Sequence, residues 1–179
     1  MGFSRITYNT EQKGIEDLLQ SLDRPGDYCV HSRLISPMPL LQVERVGTVA
    51  FPVQETQVRA LLAVAERAPY GKGPETVLDT SVRDCWQIDS SAFGVSGQGW
   101  TESFKAIVAK VSEGLGCPSE RLETRPYKLL VYEPGGFFTA HRDTEKEVGM
   151  VGTLVVSLPT EGAGGELVVR HGGRESVID

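Results

Sequence analysis

His141 and Asp143 are the residues of this chain whose types and spacing best suit chemistry. On an extended segment, residues two apart project to the same side, because strand side chains alternate with period two. An imidazole and a carboxylate on one side supply two of the three ligands of a 2-His-1-carboxylate triad. That triad holds non-haem Fe(II) and leaves positions open for substrate and O2. The pair therefore predicts a mononuclear iron site.

The composition is that of an ordinary globular protein. The chain has 179 residues, of which 40% are hydrophobic and 23% charged, with a formal net charge of −6. This length favours a single domain, 1–179, with one core. No basic run suggests a nucleic-acid partner, and no apolar segment approaches the ~18 residues of a membrane span. Three widely spaced cysteines and the lack of an apolar signal segment favour a cytoplasmic location.

Three helices are predicted from apolar residues at helical spacing. The first runs from Thr10 to about Leu22, the second from Glu55 to Ala68, and the third from Thr101 to about Leu115. We expect residues 1–122 to form a helical and mixed supporting region. Residues 89–100 are rich in Ser and Gly and are predicted to form a loop that is able to move. The longer stretch 69–100 also carries Tyr70 and Trp86, and one hypothesis is that it forms a substrate lid.

Strands are predicted mainly after residue 122, where the apolar pattern changes to short continuous runs. We expect residues 123–179 to contain the first strands of a β-structure. The predicted strands are Tyr28–Val30, one bent or two short strands in Leu41–Phe51, Cys85–Ile88, Leu129–Tyr132, Thr153–Leu158 and Leu167–Val169.

Three motifs follow one another around the His-Asp pair: YEPGGFFTAHRDTEKE, GTLVVSLP and GGELVVRHGG. In this order they resemble the Fe(II)/2-oxoglutarate-dependent oxygenases of the prolyl-4-hydroxylase-like group, over about residues 127–173. The resemblance implies an α+β fold with a double-stranded β-helix (jelly-roll) core and supporting N-terminal helices. It implies that His141 and Asp143 bind Fe(II), that 2-oxoglutarate is the cosubstrate, and that ascorbate is an optional reductant.

The resemblance also implies a cosubstrate pocket lined by Tyr132, Thr153 and Lys128. It places the second His ligand on a later strand, followed by a basic residue that pairs with the distal carboxylate of the cosubstrate. His171 is a weaker candidate for that ligand than a residue beyond Asp179. We therefore expect the N-terminal portion of an oxygenase, with an incomplete jelly roll. Its unpaired strand edges would accept a partner chain or a second copy.

The leading hypothesis is a hydroxylase that acts on a peptide or protein side chain, as prolyl hydroxylases do, or on a small molecule. The alternative is a non-catalytic jelly-roll binding or interaction module, or an inactive fragment of an oxygenase, because a fold does not fix a function. A third hypothesis is a cupin-like protein with another metal, in which Glu145 or Glu147 would add ligands.

Overall fold

The computed structural model describes residues 26–33, 37–72, 75–117, 122–146 and 148–178. Within these ranges the chain is a mixed α and β protein with two α-helices and five small sheets, each of two or three strands. This confirms the expectation that the chain contains both helices and strands. No helix in the described ranges is long and apolar enough to cross a membrane. The predicted helix from Thr10 to Leu22 lies outside them.

The helices are α1 (Glu55–Val64) and α2 (Trp100–Leu115), with a short 3-10 helix at Ser90–Ala92. The strands are β1 (Leu40–Val43), β2 (Gly47–Val49), β3 (Glu66–Arg67), β4 (Tyr70–Lys72), β5 (Glu75–Val77), β6 (Arg83–Asp84), β7 (Trp86–Asp89), β8 (Phe93–Ser96), β9 (Lys128–Val131), β10 (Phe137–Phe138), β11 (Leu167–His171) and β12 (Arg174–Ile178). They pair antiparallel as β2–β1–β8, β3–β7–β9, β4–β5, β6–β10 and β11–β12.

The described residues form two compact units, and the smaller one contains residues 26–32, 108–117 and Leu122. Here the chain packs closely on the end of α2: a Cβ on Gly114 would lie 2.6 Å from a methyl group of Val30. The Gly114 carbonyl accepts the Asp27 backbone N–H at 2.8 Å. The predicted strand Tyr28–Val30 is wrong, because this segment has no regular structure and pairs with no strand among the described residues.

The larger unit contains residues 33–107 and 123–178. Its core is a cluster of buried aliphatic side chains from two sheets and one helix. The buried members are Leu41 and Val43 of β1, Val49 of β2, Leu61 of α1 and Ile88 of β7. Alternation along β1 and β2 turns these side chains inward, and the prediction of two short strands in this region is confirmed.

Two secondary-structure predictions are wrong in the first half of this unit. Helix α1 ends at Val64 and not at Ala68, because Ala65 is extended and the next two residues form β3 against β7. Residues 89–100 are not a loop, since β8 forms a four-residue pairing with β1. The proposed lid, 69–100, therefore contains five strands, and one of them, β7, contributes the core residue Ile88.

The last part of the unit differs from its core. The apolar run Thr153–Leu158, predicted as a strand, has no regular structure, and the Val155 side chain is 66% exposed. The only bridge next to it joins Val53 and Thr160 among the described residues. The predicted strand Leu167–Val169 is confirmed as part of β11, which pairs with β12 as a hairpin.

Candidate metal centre

His141 and Asp143 lie in an irregular segment that follows β10. The structure brings their side chains together: Nε2 of His141 is 3.6 Å from Oδ1 of Asp143. Both side chains are partly exposed, so this is an open surface site. The period-two reasoning from the sequence requires an extended segment here. The two side chains meet although none of the residues between Thr139 and Lys146 belongs to a strand.

A backbone hydrogen bond fixes the orientation of the His141 ring. Nδ1 lies 2.8 Å from the carbonyl oxygen of Thr139. A carbonyl oxygen only accepts, so Nδ1 carries a hydrogen, and in the neutral form of the imidazole Nε2 then carries the lone pair. Nε2 faces the Asp143 carboxylate, so in the neutral form its lone pair and a carboxylate oxygen lie on the same side. Histidine ligands in metal sites are commonly held this way, with one nitrogen donating to a backbone carbonyl and the other free to bind.

Asp143 is positioned in turn by Thr153. The Thr153 hydroxyl donates to Oδ2 of Asp143 at 2.8 Å, which leaves Oδ1 on the side of His141. The sequence places Thr153 in the cosubstrate pocket. In the structure its contact is with the carboxylate of the predicted metal ligand.

Phe138 of β10 supports the His141 ring from the sheet. The two rings are stacked, with centroids 3.5 Å apart and an interplanar angle of 16°. Strand β10 is held by pairing with β6, and the Thr139 N–H continues that pairing by donating to the Val82 carbonyl at 2.9 Å. The pairing thus positions the carbonyl that orients the imidazole.

A second group of side chains lies on β6 and at the end of β9. The Arg83 guanidinium lies over the Phe138 ring, 4.6 Å from its centroid, and its Nε donates to Sγ of the buried Cys85 at 3.2 Å. Burial, and then the Cys85 thiol, raise the pKa of the Tyr132 hydroxyl to about 12, while Arg83 acts to lower it. Tyr132 therefore stays protonated at neutral pH.

Lys128 is not brought to this site. It lies at the opposite end of β9 from Tyr132, and four residues of strand span about 13 Å. Its ammonium group lies 5.4 Å from the Tyr127 ring centroid. Lys128 shares a face with Tyr132 by alternation, but the strand's length separates them.

The structure does not group His171 with His141 and Asp143 as a third metal ligand. It lies on the β11–β12 hairpin, opposite Arg174 in the register, and Arg170 of the same hairpin pairs with Glu175. Across the described ranges, no three His, Cys, Asp or Glu side chains are grouped so that they could hold a metal.

Neither the position of Arg83 nor the stacking of Phe138 on His141 is predicted by the sequence. Both depend on the pairing of β6 with β10, two strands far apart in the sequence. Strands of two residues have no periodicity from which a partner can be inferred. The available signal was the strand-prone run that begins at Cys85, next to a charged Arg-Asp pair.

The pair has the donor chemistry of a metal site. A neutral imidazole nitrogen and a carboxylate oxygen suit Fe(II) and other divalent first-row ions. Bonds from such donors to a metal are about 2.0–2.2 Å, so two donors 3.6 Å apart are close enough to share one ion. Comparisons of the chain with protein families, with curated proteins and with solved structures found no match.

Proposed function

We propose that the protein is an Fe(II)- and 2-oxoglutarate-dependent oxygenase in which His141 and Asp143 bind the metal. One observation carries the proposal: the hydrogen bond from Nδ1 of His141 to the Thr139 carbonyl directs Nε2 at the Asp143 carboxylate. The sequence resemblance supports the same assignment.

The surrounding residues have supporting roles in this function. Thr139 and Phe138 fix the imidazole, and Thr153 fixes the carboxylate, so that both donors are held before a metal arrives. The chemistry that Fe(II) and 2-oxoglutarate supply when bound is oxidative decarboxylation to succinate and CO2, coupled to hydroxylation of a C–H bond. Tyr132, protonated at neutral pH, is a hydrogen-bond donor at the edge of the site.

We also propose that the small sheets belong to a jelly-roll core. Antiparallel pairings between distant segments, such as β1 with β8 and β7 with β9, support this architecture. Greek-key connections of a jelly roll produce such long-range antiparallel pairs. The exposed apolar residues of 151–156 and of β11 are consistent with strands that complete such a sheet.

A second candidate function is a non-catalytic interaction module. The specific observation that favours it is the exposure of apolar side chains near the end of the chain, among them Val155, Leu167 and Val177. Contiguous exposed apolar surface marks interaction sites. This candidate predicts no metal-dependent chemistry at His141 and Asp143.

A metal titration separates the two candidates. Mn(II) binding to the full chain is followed by the loss of the free-ion electron paramagnetic resonance signal. We expect His141→Ala and Asp143→Ala each to weaken Mn(II) binding by more than the roughly 10- to 100-fold that loss of an outer-shell partner costs. His171→Ala is the matched control and should bind like the wild type.

Turnover is measured in parallel as succinate formed from 2-oxoglutarate with Fe(II) and O2. The oxygenase assignment expects succinate from the wild type and none from the His141→Ala variant, with circular dichroism confirming that the variant is folded. Wild-type Mn(II) affinity in both ligand variants, or equal succinate formation by His141→Ala, would reject the assignment and leave the interaction module.

A further inference from the structure

The larger unit contains a cavity of about 210 Å³ beside the turn that leads from β9 to β10. Its walls are formed by Arg67, Asp84, Trp86, Glu133, Pro134 and Gly136. This volume is below the roughly 300–1,000 Å³ of sites for drug-sized ligands. The cavity therefore fits one side chain or one small head group.

The charges around this cavity do not cancel. Arg67 pairs with the Asp84 carboxylate, and its guanidinium lies over the Trp86 ring, 4.1 Å from the centroid. Within the described part of the chain, Glu133 forms no ion pair. The walls thus carry one unmatched negative charge, and the ligand that complements them is a cation.

Glu133 is held in place by the fold itself. Trp86 pairs with Val131 at the end of β9, and its indole N–H donates to Oε2 of Glu133 at 2.6 Å. The Gly136 N–H donates to the Glu133 carbonyl oxygen at 2.8 Å and closes the turn. A carboxylate has about four acceptor positions on its two oxygens, so acceptors remain for a ligand. Because the group is already oriented, binding costs less conformational entropy.

The cavity and the His141 ring lie on opposite faces of the β6–β10 pair. Asp84 pairs with Phe137, whereas Arg83 pairs with Phe138, the residue whose ring stacks on His141. Neighbouring residues of a strand project to opposite faces, and the Arg83 guanidinium does lie over the Phe138 ring. Asp84, which lines the cavity, therefore points away from that ring. The cavity is a site separate from the candidate metal centre.

We propose that this cavity binds an alkyl cation, the ammonium or guanidinium at the end of a lysine-like or arginine-like chain, through the Glu133 carboxylate. The Trp86 indole and the Pro134 ring supply apolar surface for the methylene stem, which basic side chains bury while the charged head meets a polar partner. The Arg67–Asp84 pair against the same indole shows that this surface accommodates a cation held by a carboxylate. Binding needs no metal, so the inference does not rest on the proposed function.

The first test uses the metal-free full chain and butylguanidinium as the probe, with the neutral analogue butylurea as the control ligand. Binding is followed by NMR of the Trp86 indole N–H, which is identified with Trp86→Phe, and the Trp100 indole N–H is the internal reference. Glu133→Gln keeps an acceptor for the indole but loses the charge. We expect it to weaken binding by about 10-fold or more, as for loss of a charge-assisted hydrogen bond. Glu102→Gln, at an exposed position of α2, is the matched control and should bind like the wild type.

A capped tripeptide, acetyl-glycyl-arginyl-glycinamide, identifies the source of the cation. It carries the same guanidinium on a peptide backbone. Binding that is tighter than that of butylguanidinium by about 10-fold or more assigns the cation to a peptide side chain. Equal or weaker binding assigns it to a free small molecule. Both results uphold the cation site.

Arg67→Gln tests the sign of the effect. Its loss leaves Asp84 as a second unmatched carboxylate, so butylguanidinium should bind more tightly than to the wild type. A cavity that is merely disrupted would lose affinity in both Arg67→Gln and Glu133→Gln. The proposal is overturned if the wild-type Trp86 signal does not respond, if butylurea acts like butylguanidinium, or if Glu133→Gln binds like the wild type. A loss in Arg67→Gln as large as that in Glu133→Gln would also overturn it.

Discussion

Two regions of the larger unit contain similar apolar sequences but bury them to very different extents. Around β1, β2, α1 and β7, aliphatic side chains are buried, and Leu41 is 2% exposed. Around residues 151–156 and the β11–β12 hairpin, equally apolar residues face solvent, and Leu167 is 46% exposed. Both regions contain short apolar runs with strand propensity. They differ in whether a second layer covers the run.

This difference explains where the candidate site lies and what holds it. His141, Phe138 and the Thr139 carbonyl depend on the β6–β10 pairing next to the packed sheets. Asp143 depends on Thr153, which lies in the exposed apolar segment 151–156, called the uncovered segment below. One proposed ligand is therefore supported by a paired strand and the other proposed ligand by a single hydroxyl. The two ligands should respond differently to changes in the two regions.

The largest expected effect is in the core. Leu41→Ala removes a fully buried side chain and should lower the free energy of unfolding by about 2–5 kcal/mol. Leu167→Ala is the matched control on an exposed strand and should change it by less than about 0.5 kcal/mol. Urea denaturation measures both. Comparable losses in the two variants would mean that the hairpin is covered in solution and that the contrast between the regions is wrong.

A glycine pair extends the comparison to the turn before the site. A Cβ at Gly136 would lie 2.8 Å from the Asp84 carbonyl oxygen and 2.9 Å from that of Glu133, whereas one at Gly152 would meet nothing within 4 Å. Gly136→Ala should therefore destabilise by about 1–3 kcal/mol through backbone shifts. Gly152→Ala should be neutral or slightly stabilising. Thermal denaturation of both variants checks this, and a stable Gly136→Ala protein would contradict the close approach.

Substitution of Thr153 tests whether its hydrogen bond positions the Asp143 carboxylate. Thr153→Val removes the donor to Asp143 and should weaken Mn(II) binding by about 10-fold, the lower end of the effect of outer-shell partners. Thr153→Ser retains the hydroxyl and should bind more tightly than Thr153→Val. Equal Mn(II) affinity in the wild type and Thr153→Val would show that this hydroxyl does not position the carboxylate.

The smallest effect concerns Tyr132 at high pH. Its hydroxyl keeps its proton to about pH 12 in the folded protein, whereas an unfolded tyrosine loses it near pH ~10. The stability from this difference is complete below pH ~10 and is lost as the pH rises through the folded-state pKa. For a half-exposed group we expect the free energy of unfolding to fall by less than about 1 kcal/mol. Urea denaturation at increasing pH, of the wild type and of Tyr132→Phe, measures this loss. Tyr127→Phe is the control, and an identical alkaline dependence in Tyr132→Phe and the wild type would contradict the shift.

The sequence predicted elements with clear periodicity and missed those that depend on distant partners. Helix α2 and strand β9 follow from local patterns. Spacing and motif context select His141 and Asp143, whose side chains the structure brings together, while their role as metal ligands stays a prediction. Strand β8 was missed because Ser and Gly dominate its surroundings, although β1 pairs with it. Thr153–Leu158 has an apolar strand pattern, but a pattern does not supply the neighbouring strand that its backbone groups need. Arg83 was missed because the β6–β10 pairing places it.

The most direct test of the metal site is the tautomer of His141. Two-bond proton–nitrogen NMR of the metal-free protein, above pH ~8 where an ordinary imidazole is neutral, reports which ring nitrogen carries the hydrogen. We predict a protonated Nδ1, with the Nε2 resonance shifting when Zn(II) is added as a diamagnetic probe, and no matching Zn(II) response for His171. A His141 protonated at Nε2, or an Nε2 resonance that does not respond to Zn(II), would contradict the assignment of His141 and Asp143 as a metal-binding pair.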